Sequence, residues 1–114
     1  MDELNRVFEA LANEHRREIV RLLALQPRSI SQLAQLRSLS LPAIHRHVHV
    51  LEDAALVRRR KIGRTNYLAI DRGPLRALRT WIEGFHPSWG TEAETLENYA
   101  GYLSTKPTST EELP

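Results

Sequence analysis

Residues 29–70 read SISQLAQLRSLSLPAIHRHVHVLEDAALVRRRKIGRTNYLAI. Apolar residues in the first part recur at helical spacing; toward the end they give way to short extended runs. Ser31 is placed to cap a short helix, 31–37, packed through Leu33, Ala34 and Leu36. Ser40 is placed to cap the next, 41–54, with Pro42 in the first turn, where a missing amide proton costs nothing. Two short helices joined by about three residues make a helix-turn-helix pattern, although plain bundle packing also produces such pairs. Residues 56–60 and 66–70 then read as strands, with Lys61-Ile62-Gly63-Arg64-Thr65 between them and Gly63 supplying the tight turn.

A basic hairpin directly after a helix-turn-helix is the order of a winged helix, with Arg64 at the wing tip. The flanks agree with that reading. Upstream, Leu4, Val7, Phe8 and Leu11 follow the i, i+3, i+4, i+7 rule and predict a helix over 3–12. Asn13 caps a second helix, 14–25, that buries Ile19, Val20, Leu22 and Leu23, and Pro27 ends it. Downstream, Asp71 is a candidate cap for a helix over 74–85 presenting Leu75, Leu78, Trp81, Ile82 and Phe85, which His86-Pro87 breaks. A last helix is expected over 91–103, capped by Thr91, with Leu96, Tyr99, Ala100 and Leu103 on one face. The expected fold is mainly α with a small β-hairpin wing, α-α-α-α-β-β-α(-α). Residues 1–103 form the domain and 104–114 a polar, disordered tail.

The chain has 114 residues, 41% hydrophobic and 26% charged, which suits one modest core. It has no cysteine, which excludes disulfides and thiolate metal sites. No apolar run approaches a membrane span and no signal segment opens the sequence, so a cytoplasmic protein is expected. The net charge of +2 hides an asymmetry: residues 1–86 carry 15 Lys/Arg against 9 Asp/Glu, and residues 87–114 carry one Lys against five Glu. All but one of the cations in the first part are arginines, whose forked guanidinium suits phosphate and guanine. Segregation of this kind points to a polyanion partner, the plainer alternative being a solvated face.

The alternating His45, His47 and His49 invite a metal reading. A helical wheel divides them. His47 falls beside the inward cluster of Ile44, Val48 and Leu51, and reads as a packing residue with a ring nitrogen bonded locally. Pro42, His45, Arg46 and His49 fall on the outer side. His45 and His49 are spaced to share an ion, but only Asp53 lies near enough to join them, so no metal site is assigned. Residues in the first turns of a recognition helix reach base edges. Leu41, Ala43, His45 and Arg46 stand there, with Ser40 at the cap and His49 further along toward the backbone. Acid/histidine neighbours Glu14–His15 and Glu83–His86 come with no nucleophile or phosphate cradle, so no catalytic residue or cofactor is assigned.

FEALANEHRREIVRLL, ISQLAQLRSLSLPAIHRHVHVLEDAALV and RRRKIGRTNYLAI together resemble the ArsR/SmtB-type winged-helix repressors, over about residues 5–85. The resemblance implies a homodimer on an inverted-repeat operator of double-stranded DNA, paired through the first and last helices. Candidate DNA-binding residues are Ser40, Leu41, Pro42, Ala43, His45, Arg46, His49, Arg59, Lys61, Arg64 and Thr65. Candidate dimerisation residues are Leu4, Val7, Phe8, Trp81, Phe85, Trp89, Leu96, Tyr99 and Leu103. The sequence departs from the family in several places, among them Ser38 where the turn usually has Gly and Leu41 where Gln is frequent. Ser29-Ile30-Ser31-Gln32-Leu33 stands where thiol-sensing members carry Cys-Val-Cys. Glu83 and His86 do not reproduce the last-helix metal cluster. His45 stands where a small polar residue is usual, so operator sequences do not transfer. Release by a small molecule, by an unusual metal site or not at all is left open. A winged helix working only through protein contacts is the alternative function.

Overall fold

The structure is a computed structural model in which residues 2–106 are described. Its elements run α1 (Glu3–Leu11), α2 (Glu14–Leu25), β1 (Arg28–Ser29), α3 (Ile30–Arg37), α4 (Leu41–Asp53), β2 (Val57–Ile62), β3 (Thr65–Ile70), α5 (Gly73–Glu83) and α6 (Thr95–Thr105). The chain forms two units, one ending at Ile82 and the other beginning at Glu83.

Side chains that cap their own helices fix most of the boundaries in the first unit. Asp2 accepts from the amide of Asn5 at 2.8 Å, Asn13 from Arg16 at 3.1 Å and Ser40 from Ala43 at 3.3 Å. Each satisfies an amide that the helix itself leaves unpaired. The third helix starts one residue earlier than expected. Its cap is Ser29, not Ser31, through a reciprocal box in which the Ser29 hydroxyl accepts from the Gln32 amide and the Gln32 side chain accepts from the Ser29 amide. The turn to α4 passes through Ser38 in the left-handed region, φ 55°. After α4 the chain turns through Ala55 at φ 59°, and the Leu56 amide donates back to the Leu51 carbonyl at 3.0 Å.

The core is one cluster. Ile19, Leu33, Ile44, Val48, Leu51, Leu56 and Leu68 are closed to solvent. On α4 the inward stripe is Ile44, Val48 and Leu51, at i, i+4 and i+7. The sheet has three antiparallel strands in the order β1-β3-β2, pairing Arg28 with Leu68 and running from Val57↔Ile70 to Ile62↔Thr65. β1 was not expected, and the hairpin strands reach closer to the tip than the sequence suggests. Only Gly63 and Arg64 remain as the loop, with Gly63 at φ 64°.

The C-terminal elements differ more from expectation. α5 stops at Glu83, two residues early, and Asp71 accepts from the Gly73 amide at 2.9 Å. α6 begins at Thr95, not 91. Thr91 does not cap it: its amide donates to the Glu94 carboxylate at 3.1 Å, and its carbonyl accepts from the Thr95 hydroxyl at 2.8 Å. The helix continues to Thr105, so residues 104 and 105 of the expected tail are helical. Residues 107–114 of that tail lie outside the described residues. Among the described residues no helix is long and apolar enough to cross a membrane.

Candidate nucleic-acid interface

The outer face of α4 begins at Ser40 and carries exposed Leu41, Pro42, His45, Arg46 and His49; Ala43 is half-buried. Ser40 and Pro42 start the helix cleanly, so these side chains are held by a regular first turn. A groove of about 240 Å³ runs along it, with the start of α3 (Ser29, Ile30, Ser31) on one side. Leu41 and His45 line it on α4; Arg64, Thr65 and Asn66 line it on the wing. The fold therefore brings the leading turns of α4 and the hairpin tip, 19 residues apart from His45 to Arg64, to one concave surface.

The wing arginines separate by parity, because strand side chains alternate between faces. Val57 and Leu68 are buried, which turns the 57, 59, 61 row toward the body. Arg59 follows that row and donates through Nε and Nη2 to both Glu52 carboxylate oxygens on α4, at 3.0 and 3.1 Å. Expected as a DNA contact, Arg59 instead ties the wing to the recognition helix. Arg58 donates to Asp71 at 2.8 Å. Arg60 is exposed and has no hydrogen bond or ion pair among the described residues. Lys61 and Arg64 are likewise exposed. Lys61 opposes Asn66 on the ladder, so the two share a face.

The three histidines divide as the wheel predicts. His45 faces the groove. The His49 ring is 3.6 Å from Asp53, both exposed on the helix surface. His47 is half-buried, its Nδ1 3.4 Å from Nη1 of Arg16, and its ring lies 5.6 Å from that of His15. Arg16 donates further to the carbonyls of Ala10 and Glu9 at 2.7 and 3.1 Å. On the other side Arg37 donates to Nδ1 of His15 at 3.2 and 2.9 Å. An arginine has no acceptor, so a hydrogen bond between it and Nδ1 requires a neutral imidazole with Nδ1 unprotonated. Burial, then the charges of Arg16, His15 and Arg46, push the His47 pKa down, which favours that form. His47 thus buttresses α4 against α1 and α2 from behind the reading face. No group of three metal-ligating side chains exists among the described residues.

The expected dimerisation residues divide too. In the first unit Leu4 is half-buried, and Phe8 and Trp81 remain 41% and 47% exposed with rings packed edge to face at 5.5 Å. Val7 corrects the expectation: it is closed to solvent inside the unit's own core, because the inward stripe of α1 runs through Val7 and Ala10. In the second unit Phe85, Trp89, Leu96, Tyr99 and Leu103 are all exposed.

Three helices around a closed core, a capped second helix of a helix-turn-helix and a hairpin beside its leading turns define a winged helix-turn-helix protein. A helix-turn-helix domain family matches residues 11–60, from the end of α1 into β2. The HTH-type transcriptional regulator Rv2034 of Mycobacterium tuberculosis is 38% identical over 81 residues, which are 71% of this chain and 76% of that protein. A crystallised ArsR family transcriptional regulator is 35% identical with a TM-score of 0.69, over 73% of this chain and 91% of the other. The homodimeric winged helix-turn-helix DNA-binding domain Mb0332 of Mycobacterium bovis, at 22% identity, shares the fold with a TM-score of 0.63, over 96% and 89% of the two chains. The chain belongs to the ArsR-type winged helix-turn-helix transcriptional regulators.

Proposed function

We propose that the protein is a dimeric repressor that binds an inverted-repeat operator with α4 in the major groove and the wing tip beside it. The observation that carries this is the shared groove of Leu41 and His45 with Arg64 and Thr65. His45 and Arg46 read base edges, Leu41 and Ala43 offer apolar contact to a thymine methyl, and His49 approaches the backbone. Pro42 and the Ser40 cap set the helix start, and Ser40 is also placed to meet a phosphate. Lys61, Arg64 and Thr65 act from the wing, Arg64 entering the minor groove. Arg60 acts with them as a phosphate-neutralising residue, while Arg59 is held by Glu52.

A two-fold operator needs a two-fold protein. The exposed Phe8 and Trp81, and separately Phe85, Trp89, Leu96, Tyr99 and Leu103, supply apolar surface for that pairing, with Leu4 at its edge. The domain resembling this chain in Mycobacterium bovis is homodimeric. Residues 1–103 act as the DNA-binding and dimerisation body of a cytoplasmic regulator that uses no cofactor and performs no catalysis.

The test is a gel shift with the DNA upstream of the protein's own gene across a salt series, paired with sedimentation of the free protein. A shift that weakens steeply with salt, from a species of twice the chain mass, is expected. No shift at low salt favours the protein-interaction alternative.

A further inference from the structure

A second concavity lies at the other end of the hairpin. It measures about 550 Å³ and sits between the end of α2, the base of β2–β3 and the start of α5. It shares no lining residue with the α4–wing groove. Arg58, which lines it, is four rungs along the ladder from Ile62 near the tip, about 13 Å at strand rise. Leu23, Leu25, Pro27 and Ile70 give it an apolar wall, and Arg58, Arg72 and Arg76 give it three cations.

Its one carboxylate is already committed. Asp71 accepts from the Gly73 amide through one oxygen and from Arg58 through the other, at 2.9 and 2.8 Å. Those two bonds, with the nearby charges of Arg58 and Arg76, hold its pKa below the ordinary range, so it remains an anion bound to its own scaffold. The guanidinium groups of Arg72 and Arg76 have no hydrogen-bond or contact ion-pair partner among the described residues. They are one helical turn apart: the Arg76 amide donates to the Arg72 carbonyl at 2.9 Å. Two forked donors therefore sit one turn apart at the edge of an open groove that is apolar along one side and polar along the other.

We propose that this groove binds a small amphipathic anion, an aryl or alkyl carboxylate whose head is held by Arg72 and Arg76 and whose body lies on Leu25, Pro27 and Ile70. A DNA phosphate would use the arginines but has no need of the apolar wall. The bound anion would join the end of α2, the wing base and the start of α5, making it an effector of the operator binding proposed above. That regulatory role rests on the operator reading; the binding itself does not.

The probe is 2-naphthoate, titrated into the full chain and followed by amide chemical shifts. 2-Naphthylmethanol and inorganic phosphate are parallel arms. Saturable shifts at residues 23–27 and 69–76 are expected, with a Kd on the order of 0.1–1 mM for a ligand of this size. Naphthylmethanol and phosphate should each bind at least about tenfold more weakly, as should naphthoate to the Arg72→Gln/Arg76→Gln variant. Both arginines are exposed, so the variant should keep the wild-type thermal midpoint. No saturable shift with naphthoate, or equal binding of phosphate (an adventitious ion only), overturns the proposal. A drop in ligand-free operator affinity with a flatter salt slope in the variant also overturns it, because the arginines would then be DNA contacts. Naphthoate binding in a protein that shifts no DNA upholds the groove and overturns the operator reading instead.

Discussion

α4 and α6 are of similar length and both carry apolar residues at helical spacing, yet they use them in opposite ways. Ile44, Val48 and Leu51 on α4 are completely enclosed by the unit that contains them. α6 buries no residue at all; Leu96 is 79% exposed and Leu103 49%. Tyr99 and Tyr102 pack with Trp89, at ring distances of 5.2 to 5.7 Å, but that cluster still leaves each ring about two-fifths exposed. α4 is thus stabilised within one chain, and its outer face is released for reading. α6 keeps apolar surface exposed, which the dimer proposed above would use.

The contrast is broken most directly by truncation on each helix. Ile44→Ala should destabilise the folded chain by about 2–5 kcal/mol, the ordinary range for emptying a closed aliphatic site. A urea midpoint within error of wild type would show that α4 is not seated as described. Leu96→Ala should leave monomer stability within about 0.5 kcal/mol but weaken self-association, raising the dimer dissociation constant roughly tenfold. Unchanged sedimentation across a dilution series would remove α6 from the interface.

The outer surface is sharpened by two substitutions on opposite sides of its groove. His45→Ala should cost about 1–3 kcal/mol at its preferred base pair and relax preference there. Arg64→Ala should weaken binding to every sequence and reduce the salt slope by about one unit. If Arg64→Ala changes neither, the wing tip does not touch DNA.

The same contrast explains how much could be read from sequence. The α4 stripe, the Asn13 and Ser40 caps and the inward turn of His47 follow from helical periodicity and local chemistry, and all are present. The wing parity was not legible, because Leu56 and Val57 are adjacent and both apolar, so alternation has two equivalent starting points. The burial of Leu68 opposite Arg59 decides between them and sends Arg59 to Glu52. β1 has only two residues, too short for any periodic signal. The start of α3 did carry a signal, Gln32 three residues after Ser29, which outweighs the serine nearer the apolar run. α6 has no enclosed stripe and no side-chain cap, so nothing local marks where it begins.

Backbone strain behind α4 offers a smaller test. Ala55 holds φ 59° where glycine is at ease, and the turn continues into fully buried Leu56. Ala55→Gly should raise stability by up to about 1 kcal/mol, the left-handed penalty less the entropy glycine loses on folding. A fall in the melting midpoint would mean that the Ala55 methyl packs more than it strains.

The smallest effect concerns the histidine that holds α4 from behind. The folded pKa of His47 is pushed down by burial first and then by Arg16, His15 and Arg46, whereas the unfolded chain titrates near the ordinary value of about 6.5. Above that value both states are neutral, and the arrangement is at full strength. Below it the unfolded chain takes up the proton first, so it binds more protons than the folded chain and stability falls with pH. The loss is complete once pH has passed the lowered folded pKa. Asp71 and Glu18, also pushed down, titrate well below this window and leave it undisturbed. Urea midpoints at about pH 7.5 and 5.5 should therefore drop further for the wild type than for His47→Gln, which cannot take the proton. Parallel drops would mean that His47 is as easily charged in the folded chain as in the unfolded one, and that the Arg16 contact does not depend on a neutral ring.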